Sequence, residues 1–177
     1  MGQIIFITGG ARSGKSTFAE QAALQFGAPL AYLATSQILD NEMDERVRHH
    51  RERRGDEWYT IEEPLLLAEA LEKADAKYKA ILVDCLTLWL SNLLFKYEAE
   101  NEKIELRVEE QVQRLKATLQ WMATPVLLVS NEVGMGIVPE NKLARLFRDI
   151  AGMTNQTMAK AADEVHMVIS GISLRLK

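Results

Sequence analysis

A single cysteine, Cys85, and only three histidines occur in the 177 residues. One thiol cannot close an internal disulfide, which excludes a disulfide scaffold and fits a reducing compartment such as the cytoplasm. An excess of positive charge is missing as well. Lys and Arg number 21 against 25 Asp and Glu, for a formal net charge of −4. Nucleic-acid backbones require a clustered positive field, so this balance argues against a general nucleic-acid binder. No apolar run reaches the roughly 18 residues of a bilayer span. The nearest approach, "KAILVDCLTLWLSNLLF", is interrupted by Asp84, Thr87, Ser91 and Asn92. Met1 leads directly into an apolar strand pattern without a basic region, so no secretory signal is expected. Repeats, low-complexity tracts and linkers are absent. The chain is therefore expected to form one domain, residues 1–177, around a single core.

What is present alternates. Short β-branched and aromatic runs predict strands at Gln3–Thr8, Leu30–Thr35, "AILVDCL", "PVLLVSNEV" and, as one strand or a pair, "EVHMVISGISLRL". Helical patterns fall between them. "SGKSTFAEQAALQFG" carries a face of Phe18, Ala22, Leu24 and Phe26. "DNEMDERVRHHRERR" follows a possible cap at Asp40, and "PLLLAEALEKA" is a third helix. A long helical stretch from Leu86 to Met122 has a charged interruption near Glu98–Lys103, and "NKLARLFRDIAGMTNQTMAKAAD" is a helix with a possible break at Gly152. Residues between Gly55 and Pro64 read as a loop containing Trp58. Strand–helix alternation predicts an α/β fold, a mostly parallel sheet with helices on both faces.

"GGARSGKS" matches G-x-x-x-x-G-K-[ST] over Gly9, Gly10, Ala11, Arg12, Ser13, Gly14, Lys15 and Ser16. It follows a predicted strand and opens a predicted helix, the context in which such a loop cradles phosphates. Backbone N–H groups and the helix N-terminus offer positive partial charge. Lys15 reaches the outer phosphates and Ser16 is placed for Mg²⁺. Asp84 closes an apolar strand, where a second metal-directed carboxylate sits in open α/β sheets; the plainer alternative is a strand-end cap. These residues imply a nucleoside triphosphate with Mg²⁺, and leave kinase, switch, motor and transferase open.

The stretch "RVRHHRERR", Arg46 to Arg54, sets two adjacent histidines among five arginines. On a helix, Glu42, Arg46, His50 and Arg54 share one face, whereas His49 lies about 100° away beside Glu45 and Arg53. Flanking guanidinium groups favour a neutral, nucleophilic imidazole and bind phosphate oxygens, the requirements of a phosphohistidine-type intermediate. Spacing alone favours a solvated charged face with pairs such as Glu42–Arg46, in which the histidines do nothing. Asn131, Glu132 and the glycines of "NEVGMGIVP" follow a strand, and are either active-site rim or a glycine-rich turn. "DIAG" at Asp149–Gly152 matches a switch-GTPase pattern but lies inside a late helix, and no N-K-x-D motif occurs. His166, Trp89, Trp121 and Cys85 are expected to serve packing or contacts between subunits.

Together, "GGARSGKS", "YLATSQILDNEMDERVRHHRERR", "WYTIEEP" and "NEVGMGIVPENKLARLFRDIAGMTNQTMAKAADEVHMVISG" closely resemble the bifunctional adenosylcobinamide kinase/adenosylcobinamide-phosphate guanylyltransferase family of cobalamin biosynthesis. The resemblance covers essentially the whole chain. It implies a RecA-like P-loop fold and a homotrimer. It implies phosphorylation of adenosylcobinamide with ATP or GTP, then transfer of GMP from GTP to the product through a GMP–histidine adduct, releasing pyrophosphate. Carried over by position, His50 is the nucleophile, with His49 the alternative, and Lys15 acts in catalysis. Ala34, Thr35, Ser36, Arg51, Glu52, Arg53, Arg54, Glu62 and Asp84 are expected to join the phosphate loop around the nucleotide, with Ser16 and Asp84 on the metal. One departure is visible. Arg54-Gly55 stands where the family often has Arg-Pro, which loosens the turn before Trp58.

Overall fold

The computed structural model describes residues 1–36, 55–100 and 103–177. The helix expected over Asp40–Arg54, with both histidines and the arginine cluster, lies outside the described residues. The elements are β1 (Ile4–Gly9), α1 (Lys15–Leu24), β2 (Leu30–Ala34), β3 (Trp58–Glu62), α2 (Leu67–Ala74) and β4 (Ala80–Asp84). They continue with α3 (Leu86–Ala99), α4 (Ile104–Trp121), β5 (Val126–Asn131), α5 (Lys142–Ala161), β6 (Glu164–Ile169) and β7 (Ile172–Arg175).

The strands form one seven-stranded sheet in the order β3-β2-β4-β5-β1-β6-β7. All neighbours are parallel except the β6–β7 hairpin. The apolar runs follow from this, because central parallel strands are buried on both faces. Alternate residues divide between the two. Ile4, Phe6, Ala31, Leu33, Ile81, Val83, Val126 and Leu128 pack beneath α2, α3, α4 and α5. Ile5, Ile7, Leu30, Tyr32, Leu82, Leu127 and Val129 pack beneath α1. Helices thus cover both faces as predicted, though very unevenly.

Three expectations are corrected. The segment from Gly55 to Pro64 is no mere loop: Trp58–Glu62 pairs in parallel with Leu30–Ala34 as the edge strand β3. Its half-exposed alternation lacks the apolar run that marks the inner strands, and Trp58 packs edge-on against Tyr32 at 6.4 Å. The buried line of α1 is Lys15, Ala19 and Ala23, not the aromatic face; Leu24 is exposed. Small alanines let this helix lie close on the sheet, while Phe18 and Phe26 seal its flanks. Helix α5 runs unbroken through Gly152, and the side chain of Asn141 caps it by accepting from the Ala144 N–H at 3.0 Å. Trp89 is core, its indole N–H donating to the Leu65 carbonyl at 2.9 Å, whereas Trp121 is exposed.

Candidate active site

Parallel pairing brings several of the predicted residues that the structure describes to one edge. Gly9 pairs with Asn131, and Ala34 pairs with both Glu62 and Asp84, so the C-terminal ends of β1, β5, β4, β2 and β3 stand in one row. Ligands of open α/β sheets bind at this edge.

The phosphate loop is shaped by contacts that exclude side chains. A Cβ on Gly9 would lie 2.4 Å from the Val168 carbonyl oxygen and 2.7 Å from Ser13 Oγ. Gly14 has φ +94°, and a Cβ there would meet Gly171 Cα at 3.1 Å. Behind the loop, the Gly171 N–H donates to the Ser13 carbonyl at 2.8 Å. Gly171 belongs to the β6–β7 turn, where Ser170 and Gly171 both have positive φ, as a tight two-residue hairpin requires. The last hairpin of the chain therefore braces its first loop.

Lys15 is buried, and its ammonium donates to the Gly10 carbonyl at 3.0 Å. Burial lowers its pKa, and the nearby Cys85 and Asp84 oppose that shift. The buried Ser13 Oγ has no partner, as suits a loop shaped for an oxygen-rich ligand. Ser16 is half-buried one residue on, while Ala11 and Arg12 are exposed.

Asp84 accepts a hydrogen bond from the Tyr32 hydroxyl at 2.9 Å. Thr35 is fully buried with every polar group engaged. Its N–H donates to the Asp84 carbonyl and its hydroxyl donates to the Cys85 carbonyl at 2.8 Å. That hydroxyl also accepts the Cys85 N–H at 2.9 Å, and the Thr35 carbonyl accepts from Asn92 Nδ2 at 2.7 Å. Thr35 thus ties the ends of β2 and β4 together. The Cys85 thiol is buried, and burial first and Asp84 second push its pKa up, so it stays a neutral packing group as expected. Ser36 and the exposed Glu62 stand on the same edge. His49, His50, Arg51, Glu52, Arg53 and Arg54 lie outside the described residues. His166 contacts Glu164 at 3.2 Å and the ring of Phe18, in keeping with a structural role.

One cluster escaped the expected nucleotide set. Strand β5 stands between β1 and β4, so Asn131 separates the phosphate loop from Asp84. Its N–H and its Nδ2 both donate to Thr87 Oγ1, at 3.0 and 2.9 Å. Its carbonyl accepts from Asn155 Nδ2 at 3.2 Å, and Asn155 Oδ1 accepts from Ser130 Oγ at 2.7 Å. The available signal is a polar pair, Ser130-Asn131, ending an apolar strand.

Mg²⁺ requires hard oxygen donors and normally completes its shell with phosphate and water. A hydroxyl at the N-terminus of α1 and a carboxylate at the end of β4 are such donors, and both stand at the C-terminal edge of the sheet. Ser16 and Asp84 therefore fit the ion. Among the described residues no cluster of three or more His, Cys, Asp or Glu forms an independent metal site. A cleft of about 850 Å³ lies elsewhere, between the start of α4 and the start of α5, and includes none of the predicted nucleotide residues. No helix among the described residues is long and apolar enough to cross a membrane.

Comparison with known proteins bears on this site. A family model described as cobinamide kinase / cobinamide phosphate guanyltransferase matches residues 5–176. The chain is 48% identical over 182 residues to the bifunctional adenosylcobalamin biosynthesis protein CobU of Salmonella typhimurium, covering 98% of this chain and 99% of that one. It is 45% identical over 181 residues to the protein of the same name from Escherichia coli K12, with the same coverage. Among solved structures, the flagellar accessory protein FlaH of Methanocaldococcus jannaschii gives a TM-score of 0.54 at 13% identity, covering 99% of this chain and 78% of that one. The RadB recombinase gives 0.50 at 16% identity, covering 93% and 73%. At such identities the likeness speaks for the fold alone, a RecA-like P-loop architecture.

Proposed function

Because this chain belongs to the cobinamide kinase / cobinamide phosphate guanyltransferase family, we propose that one phosphate loop serves both of its reactions. The chain is a bifunctional enzyme of adenosylcobalamin biosynthesis, a kinase and a guanylyltransferase. One observation carries the division of labour proposed for its residues: a complete phosphate loop shares a sheet edge with Asp84 and Asn131.

In the kinase step, Gly9–Ser16 holds the β- and γ-phosphates of ATP or GTP, and Lys15 neutralises charge on them. The reaction needs a positioned hydroxyl on adenosylcobinamide and no covalent intermediate. In the transferase step, the neutral imidazole of His50 attacks the α-phosphorus of GTP. Lys15 and the loop amides stabilise the departing pyrophosphate. The phosphate of adenosylcobinamide phosphate then displaces the imidazole, giving adenosylcobinamide-GDP. Two in-line displacements retain configuration at the α-phosphorus. Arg51, Arg53 and Arg54, with Glu52, Glu62 and the Ala34–Ser36 segment, surround the nucleotide, Thr35 serving to hold the ends of β2 and β4 in place. Mg²⁺, held by Ser16 and Asp84, supplies Lewis-acid charge neutralisation when bound. The reading extends to one domain carrying both activities in a cytoplasmic homotrimer that binds no nucleic acid. The exposed Met135, Ile137 and Val138 form an apolar rim on the loop after β5, for the corrin or a neighbouring subunit.

Incubation with α-labelled GTP tests the central claim. An acid-labile, alkali-stable adduct mapped to His50 is expected, together with its loss in His50→Ala while kinase activity persists. Label that survives His50→Ala but not His49→Ala would move the nucleophile by one residue. Equal loss of both activities in His50→Ala would contradict the division of labour.

A further inference from the structure

Arg148 lies in α5 and is used by nothing described so far. Its guanidinium nitrogen Nη1 is buried without a hydrogen-bond partner, and the side chain makes no ion pair among the described residues. Arg148 as a whole is only partly buried, but a guanidinium nitrogen held out of water without a partner carries a cost that is offset when an anion arrives. Its position says which anion. Helix α5 descends from the loop after β5 towards the start of β6, so its N-terminal half overhangs the sheet edge where the phosphate loop opens. Asn155 marks the level of that edge, since it bonds Ser130 and the Asn131 carbonyl. Arg148 is two helical turns before Asn155 on nearly the same face, roughly 10 Å further out along the axis. One turn either side of it on this face are Ala144 and Gly152, and a Cβ at Gly152 would meet nothing within 4 Å. Arg148 thus lies on the outer half of α5, beyond the sheet edge on which Asn131 stands between the phosphate loop and Asp84, on the face opposite α1 and with open space at Gly152 one turn away.

We infer that Arg148 binds the γ-phosphoryl group of the nucleotide in the kinase step, an assignment that rests on the function proposed above. As the bond from the γ-phosphorus to its bridging oxygen breaks and the bond to the substrate hydroxyl oxygen forms, charge spreads over three equatorial oxygens. The Arg148 N–H groups donate to those oxygens. The guanidinium keeps all its protons, the hydroxyl proton leaves to solvent, and the nucleoside diphosphate departs. The planar fork of arginine suits two phosphate oxygens at once, which a lysine ammonium does not match.

The test uses Arg148→Ala, Arg148→Lys and Arg148→Met, the last retaining the apolar stem in case the alanine variant does not fold. Calorimetry compares a non-hydrolysable β,γ-imido triphosphate with the corresponding diphosphate. Wild type is expected to favour the triphosphate, and Arg148→Met to lose about tenfold of that preference. The kinase kcat is expected to fall about 10³-fold in Arg148→Ala or Arg148→Met. It should recover in part in Arg148→Lys or on adding free guanidinium at millimolar concentration, with the melting temperature little changed. GMP loading of the histidine should change less than tenfold, because it involves the α-phosphorus. Unchanged triphosphate preference in Arg148→Met would overturn the inference. So would an equal loss of GMP loading, or a kinase loss that guanidinium does not rescue and that tracks the melting temperature. A wild type that binds triphosphate but never phosphorylates cobinamide would instead overturn the parent reading, while the calorimetric comparison still decides Arg148.

Discussion

Among the described residues, four helices cover one face of the sheet and α1 alone covers the other. The first face buries Trp89, Leu67, Leu71, Leu86, Leu90 and Leu93 almost completely, with few polar groups. The second is built on Ala19 and Ala23, and its helix begins at the phosphate loop, where Ser13 and Lys15 are buried and polar. Large apolar side chains on one side supply cohesion. Small ones on the other bring a helix N-terminus close to a ligand. The same strands serve both, because successive residues point to opposite faces.

Substitutions on the two sides should therefore separate stability from activity. Lys15→Ala is the largest case. Both reactions should fall by at least about 10³-fold, while denaturant unfolding shows no loss of stability, because a partly desolvated cation is removed. Trp89→Ala should do the reverse. It should cost about 3–5 kcal/mol in urea unfolding, with turnover of the folded fraction retained. Gly171→Ala puts a Cβ into open space at φ +81°, so backbone strain of about 1–2 kcal/mol is its main cost. That strain falls on the turn bracing Ser13, and the thermal shift produced by added nucleotide should shrink more than the melting temperature itself. Gly152→Ala is smaller and opposite in sign. It should stabilise α5 by up to about 1 kcal/mol, with any activity loss confined to the kinase step.

The gentlest perturbation is alkaline pH. The folded protein holds Lys15 at a lowered pKa, so it binds fewer protons there than the unfolded chain. Between that value and an ordinary lysine's, stability of the nucleotide-free protein should gain from this residue as pH rises. Nucleotide affinity should fall over the same interval, as the ammonium is lost. Parallel titrations of unfolding and nucleotide binding that moved in the same direction would break the comparison.

The phosphate loop was readable because its residues are contiguous and its strand and helix flank it directly. Asp84 was readable because an apolar strand ends on it. Strand β3 was not, since an edge strand half open to solvent carries no apolar run. The buried face of α1 was misjudged because aromatic residues suggest a core, whereas close approach to a sheet selects alanine. Thr87, Asn131 and Asn155 come from three separate elements, and no periodicity within one element reveals such a cluster. Thr35 stands after β2 as expected, and its groups are engaged by the Asp84 and Cys85 backbone and by the Asn92 side chain, a tie between strand ends that no local pattern announces. Arg148 is invisible in a pattern of charges because its meaning lies in lacking a partner.

Gly14 and Gly171 sit near opposite ends of the sequence and touch. The constraint runs one way: a Cβ at Gly14 would meet Gly171 Cα at 3.1 Å, whereas one at Gly171 would meet nothing within 4 Å. A side chain accepted at Gly14 would have to be answered by backbone movement more than 150 residues away in sequence. The shape of the phosphate loop therefore depends on the β6–β7 turn that closes against it. Designs that graft this loop onto another scaffold should carry the hairpin with it.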